Sequence, residues 1–171
     1  MAAENVTANQ KSESGAGGVS KYHQQSRQDF IQRNLTGKLL IKSTEREWEI
    51  SKQSRSKFFL YPTYFKDTAL QEWFVFMQDI KTQSGKHRHQ GGLALFVLEG
   101  RGYSTLDGVR KDWKKGDLIL LPIKPNGVEH QHFNLDPGVG CRWMAFIFIP
   151  MYDQIASYTK QMELHPSYQG S

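Results

Sequence analysis

The chain has 171 residues and a mass of 19.7 kDa, with 38% hydrophobic residues, a mean hydropathy of −0.60, a net charge of +5 and a pI near 9.3. That length supports one domain with a sizeable core, and no apolar run approaches the roughly 20 residues of a membrane helix; the longest, Met144 to Met151, is strand-sized. The charge is modest and its lysines and arginines are scattered, so no nucleic-acid partner is expected.

Residues 1–18 are small and polar, without a basic start and an apolar stretch, so the expectation is a flexible tail rather than a secretory signal. Residues 19–57 read as a helix and a lead-in strand. In "SKYHQQSRQDFIQRNL" Phe30, Ile31 and Leu35 share one face, Ser20 is a candidate cap and Gly37 a candidate end. "KLLIK" reads as a short strand. From 58 to 151 the chain turns to β: "KFFLYPTYF", broken by Pro62, "LQEWFVFMQDI" and "LALFVLEG". "GYSTLDGVRKDW" is a hairpin around Asp107-Gly108. The basic cluster 110–115 within it is interrupted by Asp112 and reads as a solvated turn. "GDLILLP" is expected as a buried strand, followed by "VEHQHFNL" and "CRWMAFIFIP". Cys141 has no partner for an internal disulfide and reads as a small buried hydrophobe, which suggests the cytoplasm. Residues 152–171 read as a C-terminal helix and tail, with Ile155, Tyr158 and Met162 at helical spacing. Short strands with frequent turns argue for an antiparallel barrel or sandwich.

The informative residues are histidines. His87 and His89 alternate in "GKHRHQGG", and His130 and His132 repeat that spacing in "GVEHQHFN". In a strand each pair lies on one face. Neutral imidazoles converging in a barrel would hold divalent iron, manganese, nickel or zinc. One His-x-His pair alone means little, and buried histidines can simply satisfy backbone groups; two pairs of the same parity favour a metal site.

With those residues in view, the chain resembles the cupin superfamily. The first cupin motif, a His-x-His followed by a glutamate and a later glycine, is matched by His87, His89 and Gly100. The second is matched by Gly116, Pro122, Gly127, His130 and Asn134, with three extra residues between Pro122 and Gly127. The resemblance spans about 85–134 and implies an all-β fold, a single jelly-roll barrel with an N-terminal helical extension and a short C-terminal helix. Leu93 stands where the family has its glutamate ligand. The implied metal ligands are therefore His87, His89 and His130, as in the three-histidine branch that includes gentisate and salicylate dioxygenases.

That branch implies a non-haem Fe(II) enzyme that uses O2 to cleave the ring of a hydroxylated aromatic. His132 would be the acid/base catalyst or a group orienting a ligand. Gln90 and Asn134 would fix ligand orientation by hydrogen bonds. Phe96, Leu98, Trp143 and Phe148 would line a ring-binding pocket, or simply fill the core. Leu95, Ala145 and Phe148 replace an arginine and two aspartates of the gentisate pattern, which favours a phenol lacking a carboxylate, such as hydroquinone. The chain is about half the length of a two-barrel gentisate enzyme, which implies a homo-oligomer or the small subunit beside a larger cupin subunit. A silent cupin serving as structural subunit or binding protein, and a cupin lyase or isomerase, are the alternatives.

Overall fold

The computed structural model describes residues 18–170. The described residues fall into two compact units, one up to Leu39 with Asp67–Ala69, the other comprising the remainder. The first holds helix α1, Gly18–Thr36, none of whose side chains is buried. Ser20, the candidate cap, lies inside α1. The helix ends where Gly37 N–H donates to the Arg33 carbonyl at 2.8 Å. A Cβ on Gly37 would stand 2.6 Å from the Ala69 backbone, so a larger residue has no room there. "KLLIK" is not a strand: it makes a lone bridge, Lys38 to Thr68. The expected tail lies outside the described residues, except for Gly18.

The second unit is the expected all-β jelly-roll, made of two sheets. The first has the order β1 (Glu49–Ile50), β2 (Arg55–Leu60), β3 (Trp73–Asp79), β10 (Arg142–Phe148), β5 (Leu93–Glu99) and β8 (Leu118–Leu121). The second has the order β11 (Lys160–Glu163), β4 (Lys86–His89), β9 (Val128–Asn134), β6 (Arg101–Leu106) and β7 (Val109–Lys114). Every pairing is antiparallel. The β6–β7 hairpin turns through Asp107 and Gly108 at φ 49° and 80°, the twist that a two-residue turn needs.

The core is built mostly from the inward residues of the six-stranded sheet: Leu93, Leu95 and Val97 of β5, Ile119 and Leu121 of β8, and Trp143, Ala145 and Ile147 of β10. The five-stranded sheet adds Val128 and Trp113. β8 is buried on one face only, since Leu118 and Leu120 are exposed. Two boundaries also move. Sheet pairing begins before residue 58, at β1 and β2. The C-terminal helix, α2, is Ile149–Gln154, and Lys160–Glu163 form a strand rather than its continuation. Pro150 at the helix start explains the shift: it fixes φ for a first turn and needs no N–H partner there. No described helix is long and apolar enough to cross a membrane.

Candidate metal centre

β4 and β9 pair with His87 directly opposite His130 and His89 opposite Val128. Alternation therefore places His87, His89 and His130 on the inner face, while Arg88 and Glu129 face out and pair at 3.1 Å. The ring centroids lie 4.2 Å (His87–His130), 4.8 Å (His89–His130) and 5.4 Å (His87–His89) apart. One ligand atom from each lies within 4.8 Å of the others.

The backbone orients these rings. Nδ1 of His89 is 2.5 Å from the Gln90 carbonyl, that of His130 is 3.1 Å from the Val128 carbonyl, and that of His87 is 3.4 Å from the Gly85 carbonyl. With Nδ1–H donating, the lone pair sits on Nε2, free to bind a metal. Burial holds all three rings neutral. His87 is pushed down to about 4, first by desolvation and then by the neighbouring His89. Burial likewise lowers His89, and lowers His130 well below the usual imidazole range. Three neutral, convergent nitrogen donors suit a divalent transition metal. Leu93, in the glutamate position, is part of the core.

His132 belongs to a different network. Trp113 Nε1–H donates to Ser104 Oγ at 2.9 Å, and Ser104 Oγ lies 2.7 Å from His132 Nδ1. Ser104 is fully buried. Ser104 Oγ accepts from Trp113; with its own O–H donating to His132 Nδ1, the His132 proton sits on Nε2. That Nε2 is buried without a protein partner, as are Trp143 Nε1 and Gln78 Oε1. The Trp143 ring lies 4.9 Å from His132, and Gln78 is opposite Trp143 on β3. Burial first, and then the charges His87 and His89 would carry, push His132 down to about 3.

The remaining expected site residues separate. Trp143 points inward. Phe96 and Phe148 alternate with buried Val97 and Ile147 and are exposed on the outer face; Leu98 is half-buried outside the core. Those three therefore do not line an interior pocket. Gln90 acts on a ligand only through its carbonyl, because its amide clamps the Lys124 backbone (Nε2 to the carbonyl at 2.5 Å, Oε1 from N–H at 3.0 Å). Asn134 touches no histidine: its Nδ2 points to the carbonyls of Ile80, Lys81 and Val139 at 3.1–3.2 Å and ties loops together.

The aromatic wall comes instead from residues that sequence reading missed. Phe58, Tyr61, Phe74 and Phe76 stack with centroids 4.8–5.9 Å apart. With His89 and Ile147 they line a cleft of about 730 Å³. Phe74, Phe76 and Gln78 do alternate in "WFVFMQ", a pattern that could have placed them inside. A separate 440 Å³ hollow, lined by Glu45, Glu47 and Tyr64 among others, does not include the histidines.

Residues 74–148 match the cupin domain family. A gentisate 1,2-dioxygenase from Ralstonia sp. is 35% identical over 74 residues, 42% of this chain and 20% of that enzyme. The chain thus spans about a fifth of the curated relative it matches. A mutant salicylate 1,2-dioxygenase from Pseudoaminobacter salicylatoxidans, in complex with gentisate, superposes with a TM-score of 0.52 at 18% identity, over 89% of this chain and 39% of that one. A cupin-like protein from Thermotoga maritima gives 0.52 at 15% identity, over 74% and 90%. The three histidines all lie within residues 74–148, the segment that matches the cupin domain family.

Proposed function

We propose that the chain binds a divalent metal, Fe(II), through His87, His89 and His130, and takes part in oxygen-dependent cleavage of a small hydroxylated aromatic ring. The observation that carries this reading is the convergence of three neutral imidazoles beside an aromatic-walled cleft. A metal held there would act as a Lewis acid on a phenolic oxygen and bring O2 to the same ion. The chain supplies the rest. Phe58, Tyr61, Phe74 and Phe76 accept the ring and exclude water. His132, locked by Ser104 and Trp113, presents an Nε2–H that can donate to a developing oxyanion. Leu95 and Ala145 are fully buried in the apolar core, and neither supplies a charge there. That supports hydroquinone over a substrate with a ring carboxylate. The chain would work in the cytoplasm, as a homo-oligomer or beside a larger cupin subunit.

The test is metal quantification on protein purified without oxygen, followed by oxygen uptake with hydroquinone, gentisate and salicylate. The expected result is roughly one iron per chain and uptake with hydroquinone, with His130→Ala weakening metal binding by two orders of magnitude or more. A metal-free protein that gains uptake only with a second polypeptide would reassign the chain as a silent subunit.

A further inference from the structure

The inner face of the six-stranded sheet changes character along its strands. Register between β3 and β10 sets three rows: Phe74 opposite Ile147, Phe76 opposite Ala145, and Gln78 opposite Trp143. Phe74, Phe76 and Ile147 line the cleft that reaches His89. The third row lies beyond them. Gln78 and Trp143 are each 2% exposed, and Phe76 meets the Trp143 ring edge-on at 5.9 Å. The row stands beside the histidines, since the Trp143 ring is 4.9 Å from His132 and His132 is 5.5 Å from His130.

That third row holds a donor and an acceptor with nothing to bond. Trp143 Nε1 and Gln78 Oε1 are both buried without a protein partner. Most buried polar groups have one, and an unpaired group is costly. The two residues are cross-strand neighbours, with Cβ atoms about 4.5–5.5 Å apart in such pairs. A bond to each other is the nearest remedy, and neither makes it. A third group that accepts from the indole N–H and donates to the amide oxygen satisfies both. A hydroxyl does this. A carboxylate or an ether only accepts, and would set its lone pairs against the Gln78 oxygen.

We propose that Gln78 and Trp143 are a specificity-determining pair that holds the second hydroxyl of a dihydroxylated aromatic ring, while the first hydroxyl faces the three histidines. This rests on the reading of the cleft as the place of an aromatic substrate. In the row between, Ala145 ends at Cβ, so only Phe76 projects a large side chain there. A flat ring against Phe76 presents an edge to the pair. Trp143 donates, Gln78 accepts, and neither transfers a proton. Phenol leaves both groups unpaired, and 4-methoxyphenol leaves Gln78 unpaired. A site built to bond a hydroxyl discriminates strongly against an analogue that lacks it. His132 keeps its separate role through Ser104.

Isothermal titration of the full chain under nitrogen tests it, with hydroquinone, phenol, 4-methoxyphenol and 4-hydroxybenzoate as ligands and no turnover to confuse the readout. Hydroquinone should bind at least about tenfold tighter than phenol or 4-methoxyphenol. Gln78→Leu and Trp143→Phe should each shrink that ratio, whereas a merely structural role would weaken all four ligands alike and leave it intact. Equal affinities, or no binding of either phenol, overturn the proposal and leave the pair holding water only. Tighter binding of 4-hydroxybenzoate also overturns it, because Gln78 would then be presenting its N–H to a carboxylate. If a variant does not fold, the wild-type series alone decides. Iron content of the same sample reports separately on the metal. A chain that holds iron without the preference loses this subsite alone; one with the preference but no metal keeps it and loses the iron chemistry.

Discussion

The two sheets of this barrel divide the labour in opposite ways. The five-stranded sheet puts imidazoles inside and ion pairs outside. The six-stranded sheet puts aliphatic and aromatic side chains on both faces. Chemistry is thus concentrated on one wall, while the other gives the site an apolar backing. The cost of burying polar rings and a hydroxyl on the first wall is offset by dry packing on the second, since a buried polar group needs partners while an apolar one needs only contact.

Acid should break this comparison most severely. Unfolded, the imidazoles take up protons as pH falls through 6.5. Folded, His87 resists until about 4 and His132 until about 3, both because of burial. Stability is therefore complete above 6.5 and is lost as pH falls towards those values. Each group contributes at most about 1.4 kcal/mol per pH unit, several kcal/mol together. Urea denaturation of metal-free protein from pH 7 to 4 checks this, and a flat profile would mean the rings titrate freely. Next comes Leu95→Ala on the opposite wall, where a fully buried leucine should cost about 2–5 kcal/mol, read by the same denaturation at neutral pH.

Ser104→Ala probes the polar network inside the five-stranded wall. It strands Trp113 Nε1–H and His132 Nδ1 in the interior and should cost about 1–3 kcal/mol. A calorimetric melt measures this, and a neutral result would mean the chain of donors is unimportant. The smallest effect should come from Glu129→Gln on the outer face. Arg88 and Lys86 hold that carboxylate below the usual range, but partial exposure limits the loss to about 1 kcal/mol or less, shrinking with added salt. If Glu129→Gln cost as much as Leu95→Ala, inner and outer faces would not differ as described.

The histidine half-sites were legible because their strand alternates: Lys86 and Arg88 declare the outside and leave His87 and His89 within. "GYSTLDGVRKDW" was legible for a similarly local reason, the turn dipeptide. "LALFVLE" and "RWMAFIF" defeated the same logic. Their outer residues are also apolar, so the sequence has no two-residue period, and nothing in it puts Phe96 and Phe148 on the outer face where they stand. The cleft aromatics escaped because Phe58 and Phe74 meet only through strand pairing. The 160–163 strand escaped because its spacing imitates a helix, while pairing with β4 decides its conformation.

That last strand has a kinetic consequence. Without Lys160–Glu163, β4 would be a sheet edge, and its two histidines would be held from one side only. His87 is flanked by His130 and Gln161, contacts that span 43 and 74 residues of chain. Closing such loops is entropically slow compared with zipping the β6–β7 hairpin. The metal half-site on β4 should therefore be among the last parts of the molecule to form during refolding, and among the first to fray when the C-terminal strand detaches.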